Sequence, residues 1–156
     1  MAMEARQIIV FDIFAGHCCL GCFQGDTLDD RLLVNLSIKK CVPCNSNDIR
    51  PMTEQAANEL IPKVPGWNLV NETDTLKLNR SWKVKSFTKG LELFQAVADV
   101  AEAEGHHPDL HLVGWNNVKI EIWTHAVGGL TENDFILAAK INGLDLQRLL
   151  RRKAAT

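Results

Sequence analysis

Five histidines are spread over the 156 residues, and three of them, His106, His107 and His125, carry the most chemical promise. A neutral imidazole offers one donor and one acceptor nitrogen, and with a reference pKa of about 6.5 it can give or take a proton near neutral pH. Glu102 stands one helical turn before His106, a spacing that lets it orient or charge-couple that ring if the helix runs so far. Pro108 fixes the backbone after the pair and disfavours helical geometry at His107, which turns the two neighbouring rings apart. Each histidine alone reads as an ordinary surface or core residue. Chemistry follows only if the fold brings the three together.

The elements flanking them place all three at element ends, where side chains can converge. Thr53 is placed to cap a short helix through residue 61, with Ala56, Ala57 and Leu60 on its buried face and Pro65-Gly66 ending it. Residues 67–70 and 75–84 read as strands joined by a polar turn at 71–74. Thr88 then starts a long helix to Glu104, with Leu91, Phe94, Ala98 and Ala101 at helical spacing and Gly105 as its stop. Residues 110–113 and 118–124 form a second hairpin turning at 114–117, in which Val118, Ile120 and Ile122 point one way. The last helix starts at Thr131, where Asp134 stands at the capping-box position and Leu130 can staple against Phe135. The order helix-strand-strand-helix-strand-strand-helix predicts an α+β fold, a four-stranded antiparallel sheet with three helices packed on one face. His106 and His107 then follow the long helix, and His125 follows the last strand.

Composition narrows the function classes. With 46% hydrophobic and 23% charged residues, the chain suits one soluble domain of ordinary size. A net charge of -2 gives no general attraction to phosphate backbones, so nucleic acid is not an expected partner. No apolar run nears the roughly 20 residues of a membrane helix, and the N-terminus makes neither a good secretory signal nor an Arg/Ser-rich presequence. The expected location is intracellular, cytoplasm or mitochondrion. All five cysteines fall before residue 50, where periodicity is poor, so residues 1–50 read as a partly disordered extension and 51–156 as the domain.

Glu102, His106-His107-Pro108, Trp115, His125 and Asp134 match, in order and spacing, the motif of the pterin-4a-carbinolamine dehydratase family, and the stretch from about Thr53 to Leu150, including Gly66-Trp67, resembles its whole domain. The leader Lys39-Lys-Cys-Val-Pro-Cys44 is similar to that of plant-type members. The resemblance implies dehydration of a 4a-hydroxytetrahydropterin to the quinonoid dihydropterin, in the recycling of tetrahydropterin. Loss of water needs a proton delivered to the 4a-hydroxyl and one removed from N5, and neither step calls for a cofactor or a metal. On this reading His106 and His125 are the proton-transfer pair, His107 positions the substrate, Glu102 and Asp134 orient the site, and Trp67 and Trp115 wall the pocket. The family also implies a homodimer or homotetramer. The sequence departs from mammalian-like members by one extra residue before Trp115, and by Ala126 and Asn133 where those carry charges.

Other signals compete. Cys19-x-x-Cys22 and Cys41-x-x-Cys44 have the spacing of a small zinc site, but lack the glycines of zinc knuckles. Cys41-Val-Pro-Cys44 resembles a redox dithiol without the helix such a motif needs. Relatives of this fold in animals also serve as dimerisation cofactors of a homeodomain transcription factor, so a protein-binding scaffold is the alternative of a different class.

Overall fold

The computed structural model describes residues 36–43 and 49–152. Helix α1 spans Glu54–Leu60, capped by the Thr53 hydroxyl, which accepts from the Ala56 N–H, and a 3-10 turn follows over Ile61–Lys63. Strands β1 (Asn68–Glu72) and β2 (Thr75–Lys83) form the first hairpin, and β3 (Asp109–Val113) and β4 (Asn117–Ile122) the second. Helices α2 (Phe87–Glu104) and α3 (Glu132–Asn142) follow the respective hairpins' inner strands or precede them in the order the sequence predicts.

All pairings are antiparallel, in the order β1-β2-β4-β3, so the two hairpins meet through β2 and β4 and leave β1 and β3 at the edges. Val118, Ile120 and Ile122 of β4 and Leu78 of β2 are buried with the helices' apolar residues in one core, as their alternation requires. Phe135 and Leu130 are both fully buried, consistent with the expected staple at the start of α3. No helix among the described residues is long and apolar enough to cross a membrane.

Two expectations need correction. Helix α2 begins one turn fraction earlier than Thr88, because the Ser86 hydroxyl accepts the Lys89 N–H and is the true cap. Its buried line is Gly90, Leu93, Val97 and Ala101, while Leu91 is exposed. The reason is close approach: a Cβ on Gly90 would meet Leu112 of β3 at 3.0 Å, so the helix turns its glycine to the sheet. Leu36 lies in the core, and residues 39–42 are hydrogen-bonded to the ends of α2 and α3, so this part of the extension is built into the folded body. Cys18, Cys19, Cys22 and Cys44 lie outside the described residues, and the zinc and dithiol readings with them.

The first hairpin turns on Thr73 and Asp74 alone, both at positive φ (47° and 63°), the signature of a type I′ turn. Asp tolerates this conformation, whereas a β-branched Thr is strained in it. Replacing Thr73 by Asn should therefore raise stability by about 1 kcal/mol, read as a higher urea midpoint at unchanged slope.

Candidate active site

The long helix ends by reversing. Gly105 adopts the left-handed conformation (φ 62°), its N–H reaches the Glu102 carbonyl, and the His106 N–H reaches the Ala101 carbonyl at 3.1 Å, a Schellman motif. His106 is thereby turned back under the helix end, to 3% exposure, while His107 points out. This geometry corrects the partnership read from spacing. Glu102 does not meet His106, since helical periodicity stops at Gly105; its Oε1 lies 3.1 Å from His107 Nε2 on the exposed side.

The partner of His106 is Asp134, with Nε2 to Oδ1 at 2.7 Å between two buried side chains. Asp134 also completes the cap of α3: its Oδ2 accepts the Thr131 N–H at 2.6 Å and the Thr124 hydroxyl at 2.9 Å. Capping and histidine orientation were competing readings of this residue. One carboxylate does both, because each oxygen faces a different element.

His125 comes from the third reversal. Thr124 and Gly129 bridge backbone to backbone, closing a 3-10 turn over His125–Val127 that lifts the imidazole beside the His106 loop. Gly105, His106, His107, His125 and Ala126 line one open depression of about 230 Å³. All three predicted histidines are thus brought together. His125 Nε2 lies 3.3 Å from Asp109 Oδ1, and its ring rests against Trp123 with centroids 4.1 Å apart.

The tryptophans expected to wall the pocket do not do so within the chain. Trp67 is a buried core residue whose indole N–H donates to Asn142 at the far end of α3, about 12 Å along the helix from Asp134. Trp115 sits exposed at φ 64° in the tip of the second hairpin, at the opposite end of β3 from the histidines. Spacing within the motif carried no information on which end of a hairpin a residue would occupy. Asp109 and Trp123 are the neighbours that the sequence reading missed. Period-two alternation places both on the sheet face away from the helices, and Asp109 adjoins Pro108, which is the signal that was available.

Behind the depression the leader is tied down. Glu104 Oε1 pairs with Lys40 and Lys140 at 3.2 Å each, and its Oε2 accepts the Cys41 N–H at 3.0 Å. The Asn133 side chain accepts the Val42 N–H and donates to the Val42 carbonyl, at 2.9 and 2.8 Å. Burial alone would raise the Glu104 pKa, but the Cys41 amide and the two lysines outweigh it and hold the carboxyl below its usual value.

Residues 50–144 match the family model described as pterin 4 alpha carbinolamine dehydratase. The chain belongs to this family. Among dehydratase relatives, one from Arabidopsis thaliana, named pterin-4-alpha-carbinolamine dehydratase 2, mitochondrial, is 74% identical over 121 residues, covering 78% of this chain. A probable chloroplastic member from the same plant is 39% identical over 144 residues, 90% of this chain. The matched stretch spans 65% of the length of each of these two relatives. A putative dehydratase of Halorhodospira halophila is 42% identical over 111 residues, 71% of this chain and 98% of its own length. Among solved structures, the transcriptional coactivator/pterin dehydratase of Brucella melitensis superposes with a TM-score of 0.53 at 31% identity, covering 60% of this chain and 97% of that one. The dehydratase fold therefore accounts for the α+β architecture.

Two outcomes follow from the carboxylates. Asp134→Asn should cost about 2–4 kcal/mol in urea unfolding, since it weakens a buried charge-assisted network at several points. Glu104 has a folded pKa below its unfolded one, so it stabilises the fold above the ordinary carboxylate value of 4.5 and loses that contribution as pH falls through the depressed value. Urea midpoints measured from about pH 6 down to about pH 3 should fall less steeply for Glu104→Gln than for the unsubstituted protein.

Proposed function

We propose that this chain dehydrates a 4a-hydroxytetrahydropterin to the quinonoid dihydropterin, with His106 and His125 as the proton-transfer pair. The supporting observation is that three imidazoles from two separate loops line one small open depression. One proton must reach the departing 4a-hydroxyl and another must leave N5, so two titratable groups near the same substrate are the minimum equipment. His106 forms the floor, its ring fixed by Asp134, and His125 stands across from it on the 3-10 turn. His107, the more exposed of the adjacent pair, positions the substrate ring or its oxygen, and Glu102 orients it.

The contact of Asp134 Oδ1 with Nε2 at 2.7 Å fixes the orientation of the His106 ring, which suits a group that must exchange a proton in a set direction. The names of the family and of its relatives support a pterin as the small-molecule partner. A homodimer or homotetramer is part of the same proposal, and would supply walls to a depression that one chain leaves open. The mitochondrial designation of the 74% identical relative supports the mitochondrion as the compartment.

Stopped-flow measurement of carbinolamine dehydration tests this reading. His106→Ala and His125→Ala should each lower kcat on the order of a hundredfold, and His107→Ala should act mainly on KM. Chelators should leave the rate unchanged, because both steps are proton transfers. Wild-type rates in both the His106 and His125 variants would remove the assignment.

A further inference from the structure

Asp109 and Trp123 have no place in the family motif that the sequence displays, yet they are the two side chains that hold His125. Asp109 opens β3 and stands in cross-strand register with Glu121 of β4, two residues before Trp123. The pleat therefore puts Asp109 and Trp123 on the same sheet face, beside the turn that carries His125. Asp109 Oδ2 accepts the Trp123 indole N–H at 2.8 Å, which aims the other oxygen, Oδ1, at His125 Nε2, 3.3 Å away. The indole ring meets the imidazole at 54° between planes, and Lys77 Nζ lies 5.1 Å from the indole centroid. Carboxylate, indole and imidazole thus form a closed triangle in which each member restrains the other two.

We infer that Asp109 is the positioning residue of His125, and that Trp123 acts through it by fixing the carboxylate's orientation. This deepens the dehydratase reading and rests on it. With Nε2 facing Asp109, Nδ1 is the nitrogen left to exchange a proton with the substrate. When His125 carries that proton, both ring nitrogens are protonated and the Nε2 edge lies 3.3 Å from a carboxylate oxygen, an ion-pair contact that tightens as the imidazolium forms. When the proton departs, the ring returns to the tautomer with hydrogen on Nε2. The carboxylate takes no proton in this cycle, in the manner of an orienting acid behind a catalytic histidine. His106 has the same arrangement with Asp134, so both members of the proposed proton-transfer pair are backed by an aspartate, one buried and one at the rim.

The test uses the full chain and four variants: Asp109→Asn, Asp109→Glu, Trp123→Phe and the Asp109→Asn/Trp123→Phe double. Asp109→Asn should lower kcat on the order of ten- to a hundredfold, with KM within about threefold and the melting temperature little changed. Asp109→Glu, which keeps the charge, should recover part of the loss. Trp123→Phe removes the indole N–H while keeping an aromatic ring and should lower kcat in the same direction, and the double variant should lose less than the product of the two single losses. A readout independent of activity is peptide-resolved labelling by diethyl pyrocarbonate. His125 should label faster in Asp109→Asn, with Nε2 released, while His107 labels as before. Unchanged kcat, or a loss matched by a fallen melting temperature with His125 labelling unaltered, would overturn the inference. An unsubstituted protein with no dehydratase activity would sink the functional reading instead, and the labelling comparison would still decide whether Asp109 holds His125.

Discussion

A carboxylate with no solvent exposure is stable only if its charge is answered by hydrogen bonds, and Asp134 is such a group. Its two oxygens divide the work. Oδ2 gathers the Thr131 amide and the Thr124 hydroxyl, which pins the start of α3 to the end of β4, and Oδ1 takes His106 from the end of α2. Three elements that are distant in sequence meet on one side chain. The N-terminal end of α3 adds its own partial positive charge, which makes acidic side chains favourable in its first turn. The demand to satisfy this one charge therefore fixes where the site histidine must lie, and the site is a consequence of how the fold caps its last helix.

The leader extends the same logic to the neighbouring residues. Glu104 and Asn133 flank the segments that carry His106 and Asp134, and the partly buried Glu104 and buried Asn133 both have backbone atoms of residues 41 and 42 among their partners. A charged side chain at position 133, as in mammalian-like members, would not make the reciprocal amide pair that Asn133 makes with Val42. The Asn departure noted in the sequence and the presence of the Lys39-Lys-Cys-Val-Pro leader are thus two sides of one contact. Lys40 and Lys140 both pair with Oε1 of Glu104, so the leader and α3 are bound to the same acid.

What could be read in advance follows from the range of the forces involved. Strand alternation at Val118, Ile120 and Ile122, the Gly105 stop and the Thr131/Asp134 box are local signals, and each specified its element. The rotation of α2 was not legible, because Leu91 and Leu93 are equally apolar and the choice between them was made by the contact of Gly90 with Leu112, a residue in β3. Likewise the pairing of Glu102 with His106 assumed a helix that the Schellman reversal ends one residue before it matters. The convergence of the three histidines was reached through resemblance and not through spacing. Trp67 and Trp115 show the limit of a motif: it orders residues along the chain but does not say which side of the sheet or which end of a hairpin they occupy.

The three site imidazoles each face one carboxylate, but in surroundings that differ steeply. The carboxylate is buried for His106, 38% exposed for His125 and 76% exposed for His107. Water screens the outermost pair, whose interaction resembles a surface ion pair worth little, whereas the innermost acts through a medium of lower effective dielectric. Orientation follows the same gradient, because a buried ring has no room to reorient and an exposed one does. Depth sets His106, 4% exposed, apart from His125 and His107, 51% and 61% exposed, and the contacts with Asp109 and Trp123 set His125 apart from His107. The two that are held firmly suit proton transfer, which requires fixed geometry at the moment of reaction. The loosely held His107 suits binding, where a ring that can adjust to the substrate is an advantage.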